Sequence, residues 1–404
     1  MLLLRVFVPF ALGYFLSYLF RVVNAVIAPD LVREVGLDAA SLGLLTSAYF
    51  LTFAIFQIPL GVLLDRFGPR RTEAWLLLFA AAGAVWFALA ESTGGLVVGR
   101  ALIGLGVSAC LMAAFKAFVE WFPRDRLPLI NGCQMAAGGL GALAGTLPVE
   151  AALRLIDWRS LFLILAALTV LAALVIARTV PERHDGRVQQ TIRDQLRGVA
   201  AVFRSGLFRR VAPLTVSAQA TFLAVQSLWA GPWLLDVAGL DRAAVAEVLL
   251  AIAAAMVTGF LGLGWLASRM AALGLSSFSV AVGGIALFMV AQTVLVGQWV
   301  GVSGIAWIAF GFFGTAGILP YAALSQRFPA HLAGRLNTSL NLLVFVSAFA
   351  LQWGIGIIID QWPLTADGGY APAGYAAAFA AMLALQGLAL GWFALYRRQD
   401  VPEG

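Results

Sequence analysis

Tyr14, Ser17, Tyr18, Arg21 and Asn24 recur at three- and four-residue spacing within one apolar run, residues 5–28, so a helix there carries them on a single face. One cation set among hydroxyls and an amide is a chemistry for holding a small anion, because a guanidinium offers charge and a planar pair of donors together. Arg21 lies about 6 to 8 Å from the middle of the run, too deep for easy snorkelling. Arg100 and Lys116, the latter the only lysine, are the other basic residues inside such runs. Lys116 lies about 12 Å from the middle of its run and is expected either to touch substrate or to pair with Glu120 four residues on. No acid lies well inside a run: Glu91, Glu120, Glu150, Asp236, Glu247 and Asp360 all fall near ends, so the core reads as basic.

A neutral set recurs later in the chain. Gln219, Phe222, Gln226, Trp229 and Trp233 repeat at intervals of three and four, and Tyr321, Asn337 and Asn341 lie in two further runs. Amides and aromatics orient a ligand without charge. Gln134 and Tyr49 complete the expected lining. Catalysis has no such support: His184 and His331 fall between runs, and no nucleophile–base pair is suggested. No G-x-x-x-x-G-K-[ST] loop exists for nucleotide drive. Cys110 and Cys133 lie inside runs and are read as packing residues, with no disulfide framework, metal spacing or cofactor implied.

The elements that must carry these residues are membrane helices. With 62% apolar and 11% charged residues, the chain lies far from a soluble composition. Twelve runs of roughly bilayer-spanning length occur, near residues 5–28, 43–64, 73–91, 95–121, 128–150, 159–178, 210–236, 243–267, 275–297, 299–327, 332–360 and 373–396. They lack alternation and are too long for barrel strands. The first run is too long for a signal-peptide core and is read as part of the mature protein.

Arginine placement sets the orientation. With a cytoplasmic N-terminus, nineteen arginines fall at inner loops and ends, and only Arg33, Arg154, Arg159 and Arg242 fall outside. This bias places both termini in the cytoplasm. The net charge of +6 is then a topology signal, with the bilayer as partner and no nucleic acid required. The one long polar stretch, residues 181–208, divides a bundle at 1–180 from a bundle at 209–404. A local repeat supports duplication: Phe122-Pro123 precedes Asn131 as Phe328-Pro329 precedes Asn337, 206 residues later.

Gly61-Val62-Leu63-Leu64-Asp65-Arg66-Phe67-Gly68-Pro69-Arg70-Arg71 packs glycine and charge between two apolar runs. It resembles the signature loop of the major facilitator superfamily, G-x-L-x-D-R-x-G-x-[KR]-[KR], at every fixed position. Gly264 to Arg269 reads as a decayed echo, with Ser268 in place of the acid and the turn retained. Arg100-Ala101-Leu102-Ile103-Gly104-Leu105-Gly106 resembles the family's R-x-x-x-G-x-G element. Gly138 to Pro148 is glycine-rich where antiporters carry G-P-x-x-G-G, but the Gly-Pro pair is absent. Tyr18 to Asn24 is similar to the Y-x-D-R-x-N element of organic-anion members, with Phe20 in place of the acid.

The resemblance implies an all-α membrane fold of twelve transmembrane helices in two pseudo-symmetric six-helix bundles. It implies a monomeric secondary transporter of a bacterial inner membrane, moving a small organic anion with a proton or a counter-anion. It further implies a gate built from Gly61, Asp65, Arg66, Gly68, Arg70, Arg71 and Arg100, with Asp65 facing a helix N-terminus near His331 to Arg335. A peripheral acid such as Glu120 is one candidate proton carrier. Efflux of hydrophobic compounds and a transporter-like sensor are the alternatives.

Overall fold

A computed structural model describes residues 3–123, 126–182, 192–274, 277–366 and 368–397. Arg124, Arg183, Arg187 and Arg398, used above for orientation, and His184 lie outside the described residues, as does the side chain of His331. Among the described residues the structure is helical and contains no strand. A backbone in hydrocarbon has to satisfy its own hydrogen bonds, which a helix does within one segment. Among the described residues, eleven helices are long and apolar enough to cross a membrane. One of them, α2 (Ala39–Leu89), is two spans joined at Gly68, whose φ of 75° and ψ of 167° break the helix. With it divided, the count matches the twelve runs. Trp75, Leu89, Ile305, Leu388 and Leu395 are exposed on these helices, an apolar exterior suited to lipid.

The chain forms two compact units, Met1–Gly36 with Ala48–Gln195, and Leu37–Ser47 with Leu196–Gly404. In the first, α1 (Val8–Val35) packs on α5 (Leu127–Ala144) and α7 (Trp158–Thr179). One end of this unit is clamped by Arg159. Its guanidinium donates to Glu34 at 2.9 Å and to the carbonyls of Ala88 and Ala90 at 2.7 and 2.8 Å. Between these elements lie α3 (Thr93–Val107), α4 (Cys110–Trp121) and α6 (Leu147–Leu153). The run at 95–121 is therefore interrupted at Ser108–Ala109, and the run at 128–150 at Gly145–Thr146, ahead of Pro148.

The second unit holds α8 (Ile192–Arg204), α9 (Gly206–Ala224), α10 (Ala230–Asp236), α11 (Arg242–Ala272), α12 (Ser277–Val296), α13 (Val300–Gly314), α14 (Leu319–Ser325), α15 (Ala330–Ile359) and α16 (Pro372–Leu395). The polar stretch expected as a linker contains α8, whose Val202 is buried with Leu207, Phe208, Val211, Leu336 and Leu340. The division between units falls inside that stretch, after Gln195. The start of α2 packs in this second unit, where Asp360 accepts from the amides of Ala39 and Ala40 at 3.0 and 2.7 Å. A carboxylate there complements the positive end of the helix.

Repetition is more extensive than the Phe-Pro pair suggests. Gly36-Leu37-Asp38 and Gly239-Leu240-Asp241 both place glycine at positive φ, 71° and 66°. Both aspartates then accept from the amide three residues on, Ser41 at 2.7 Å and Ala244 at 2.8 Å. These repeats lie 203 residues apart, whereas the positive-φ glycines that end the following spans, Gly68 and Gly274, lie 206 apart. Three extra residues in α11 account for both intervals. The echo at Gly264 to Arg269 consequently lies wholly inside α11, and the turn comes later, at Gly274; the expectation that the echo kept its turn is corrected. The interruption at Ser108–Ala109 recurs as a 3₁₀ segment at Thr315–Ile318, with Thr315 lying 206 residues after Ala109.

Candidate substrate site and gate residues

In the first unit, the α1 stripe is buried along its length, and Arg21 is 6% exposed. Its guanidinium carbon lies 4.4 Å from the Tyr18 ring centroid, 5.7 Å from Phe53 and 6.0 Å from Tyr49. Tyr14 and Tyr18 meet edge to face at 5.1 Å, and Tyr14 donates to the Met135 sulfur. Asn24 is fully buried one helical turn beyond Arg21. Gln134 donates to the Phe10 carbonyl at 3.1 Å, fixing α5 on α1. Tyr49 donates to the Ser17 carbonyl at 3.2 Å, so its ring is held from α2 against the stripe.

Arg100 approaches the same Tyr49 ring, at 5.2 Å, and donates to the Phe20 carbonyl at 2.9 Å. Two guanidinium groups thus share one ring face or edge in a buried setting. The glycines after Arg100 explain how α3 gets so close. A Cβ at Gly104 would lie 2.2 Å from the Tyr49 carbonyl oxygen, and one at Gly106 would lie 2.2 Å from the Ala80 nitrogen. The R-x-x-x-G-x-G element is therefore a packing seam that seats Arg100 beside Tyr49.

Lys116 reaches the Gly61–Arg71 loop. Its ammonium donates to Asp65 at 2.6 Å and to the Leu64 carbonyl at 2.8 Å. These contacts set it beside the gate residues. Around it, Arg70 donates to the Ala177 carbonyl, Arg71 forks onto Glu182 with one contact of 3.0 Å, and Arg66 lies 5.3 Å from the Phe67 ring. Gly68 supplies the positive φ on which this turn depends. Gly61 is a half-buried position on α2, one turn before Asp65.

The neutral set of the second unit forms local pairs. Gln219 donates to the Gly314 carbonyl at 3.4 Å, Gln226 to the Met256 sulfur at 3.3 Å, and the Trp229 indole to the Gln352 carbonyl at 2.9 Å. Tyr321 donates to Asn341 at 3.0 Å, and Ser325 to Asn337 at 3.3 Å. A π-helical segment, Val225–Trp229, carries Gln226 and Trp229, a distortion that recurs at functional sites. Trp233 is buried against Trp307 at 5.5 Å.

Three features escaped the sequence reading. Gln292 and Gln386 exchange amide hydrogen bonds of 3.0 and 2.8 Å in the buried interior of the second unit. Cys133 is exposed on α5 and does no packing. Most consequential, Glu73 is fully buried, which overturns the expectation that no acid lies inside a span. Its run appeared to begin at residue 73, but the helix restarts at Pro69 after Gly68, so Glu73 is already one turn in. A proline one residue past a turn glycine was the available signal.

Apolar spans in two units built on one repeated pattern, with buried cations in the first, define an integral membrane protein of duplicated helical bundles. The chain belongs to the Major Facilitator Superfamily, whose family model matches residues 10–352. It is 30% identical over 186 residues to the probable sulfoacetate transporter SauU of Cupriavidus necator, covering 45% of this chain and 43% of that protein. It is 31% identical over 166 residues to the hexuronate transporter of Escherichia coli K12, covering 40% and 38%. Over 130 residues it is 33% identical to the nitrate/nitrite transporter NrtP of a Picosynechococcus species, covering 32% and 24%. The matched stretches thus span less than half the length of these relatives. In fold, the chain is similar to a D-xylose–proton symporter, with a TM-score of 0.75, 17% identity and coverage of 100% and 99%. A bacterial homologue of the lysosomal transporter Spinster gives 0.73, 17%, and 98% and 97%.

Proposed function

We propose that the chain is a secondary active transporter that moves a small organic anion across a bacterial inner membrane by alternating access, with both termini in the cytoplasm. The carrying observation is Arg21, a buried guanidinium at mid-span held among Tyr18, Tyr49 and Phe53. A buried intramembrane cation is costly and marks a substrate or ion pathway. In this reading Arg21 binds the anion by a charge-assisted contact, while Tyr14, Tyr18, Asn24, Tyr49 and Gln134 shape its surroundings. Gln219, Gln226, Trp229, Tyr321 and Asn341 are the second unit's own neutral candidates for substrate contact. Asp65, Lys116 and the arginines of the Gly61–Arg71 loop hold a gate, and Arg100 positions Tyr49. The names of the relatives support the charge assignment: sulfoacetate, hexuronate and nitrate are all anions.

The test is thermal stabilisation of the purified protein by sulfoacetate, galacturonate and glucuronate, with xylose and choline as uncharged and cationic comparisons. A ligand at a hundred times its Kd stabilises by about 2.7 kcal/mol. Stabilisation by an organic anion, with saturable flux and counterflow in reconstituted vesicles, is the expected result. Stabilisation by the cation alone refutes the anion assignment, and non-saturable flux refutes a carrier.

A further inference from the structure

Glu73 has no place in the site just described, yet its burial demands an account. It lies in the second leg of α2, about 7.5 Å along the helix from the bend at Gly68. Both carboxyl oxygens are buried without a hydrogen-bond partner of good geometry. The Gly13 backbone of α1 closes one side so tightly that a Cβ there would come within 2.3 Å of Glu73 Oε1. Leu77 packs nearby on the same helix. From α4 the Cys110 thiol lies against the carboxyl, and it is the first residue after the Ser108–Ala109 interruption. Arg21, from α1, acts electrostatically on Cys110 without any described ion pair to Glu73. Among the described ion pairs, none includes Glu73, and the Lys116–Asp65 pair is a separate one.

Ionising a carboxyl group in such a setting costs far more than in water, and the Cys110 thiol is a weak donor to set against that cost. A proton stored beside a discontinuous helix pair, in electrostatic reach of the groups around Arg21, is placed to answer to substrate charge. Any coupling between an anion at Arg21 and a proton on Glu73 is reciprocal by linkage.

We propose, building on the transporter reading above, that Glu73 is the proton-carrying residue of this chain, loaded in the state described and releasing its proton to water in another state of the cycle. This replaces Glu120 as the candidate carrier. It makes the coupling symport of an anion with a proton.

Two measurements test it. Infrared spectroscopy of the reconstituted protein reads protonated carboxyl groups directly, without substrate. The wild type should show a protonated-carboxyl stretching band that shifts in D2O, that Glu73→Gln removes and that Glu150→Gln leaves in place. A band unchanged in Glu73→Gln overturns the proposal. In vesicles, using whichever of sulfoacetate, galacturonate or glucuronate stabilises the protein, Glu73→Gln should retain counterflow within about twofold and lose accumulation driven by a pH gradient. Loss of both at wild-type Tm marks a structural role and also overturns it. Wild-type flux indifferent to a pH gradient refutes proton coupling alone. Wild-type vesicles without flux of any of the three refute the transporter reading, and the coupling proposal with it.

Discussion

Replacing Arg21 by glutamine removes the one charge on which anion recognition is proposed to depend. Hydrogen bonds to charged groups contribute about 1.5 to 3 kcal/mol, and truncating one partner of a buried charge pair typically costs about 2 to 5 kcal/mol. At about 1.4 kcal/mol per decade, anion Kd should rise at least tenfold. Stability should change far less. The variant loses a cation–π contact with Tyr18 at 4.4 Å, worth about 2 kcal/mol when desolvated, but it also relieves the burial of a guanidinium, which has the opposite sign. Arg21→Lys keeps the charge and loses the planar fork, so it should recover only part of the affinity. Calorimetric titration with the stabilising anion gives Kd, and a thermal melt of the same sample gives Tm. A folded Arg21→Gln protein that binds its anion with wild-type Kd would refute the reasoning. So would both variants losing Tm together with affinity unchanged, since Arg21 would then be a packing residue.

The Asp65–Lys116 pair is partly exposed, with side chains 36% and 23% accessible, and such pairs contribute only about 0 to 1 kcal/mol. Asp65→Asn and Lys116→Gln should therefore melt near the wild type while flux falls severalfold in each, and the exchanged pair Asp65→Lys with Lys116→Asp should restore part of it; unchanged flux in Asp65→Asn rules out the gate. Gly104→Ala should lower Tm and expression, since its Cβ would lie 2.2 Å from the Tyr49 carbonyl oxygen, and overpacking of this kind costs about 1 to 3 kcal/mol. Gly391→Ala, which meets nothing within 4 Å, is the matched comparison, and equal Tm in the two variants would show that the seam is looser than drawn.

The membrane class and the positions of the spans were legible because lipid imposes length and apolarity on every crossing, and both are written residue by residue. What happens inside a crossing was not. The interruptions at Ser108–Ala109 and Thr315–Ile318 fall within continuous apolar runs, and hydropathy carries no mark of either. Lys116 illustrates a second limit. Its pairing with Glu120 is a rule of helix spacing, whereas Asp65 is 51 residues away and reaches it only through the packing of α2 on α4. Glu73 shows a third limit: hydropathy starts its run at residue 73, whereas the helix restarts at Pro69 after Gly68.

The repeat itself separates scaffold from chemistry. Residues that direct the backbone recur in both units: the Gly-Leu-Asp turns, the positive-φ glycines at 68 and 274, and the helix interruptions. Each unit has to fold its own six spans, so each needs its own turns and caps. Buried charge does not recur among the described residues. At the 206-residue interval Arg21 corresponds to Ser227, Glu73 to Ser279, Arg100 to Ala306 and Lys116 to Ala322; at the 203-residue interval Arg21 corresponds to Ala224 and Asp65 to Ser268. Among the described residues, the charged side chains that are buried, Arg21, Glu73, Arg100 and Glu150, all lie in the first unit. Because every buried charge is expensive in a membrane interior, a duplicated protein that needs one anion site and one proton site gains nothing from a second set. Buried charge confined to one copy, with turns kept in both, is what selection for a single substrate site would leave behind.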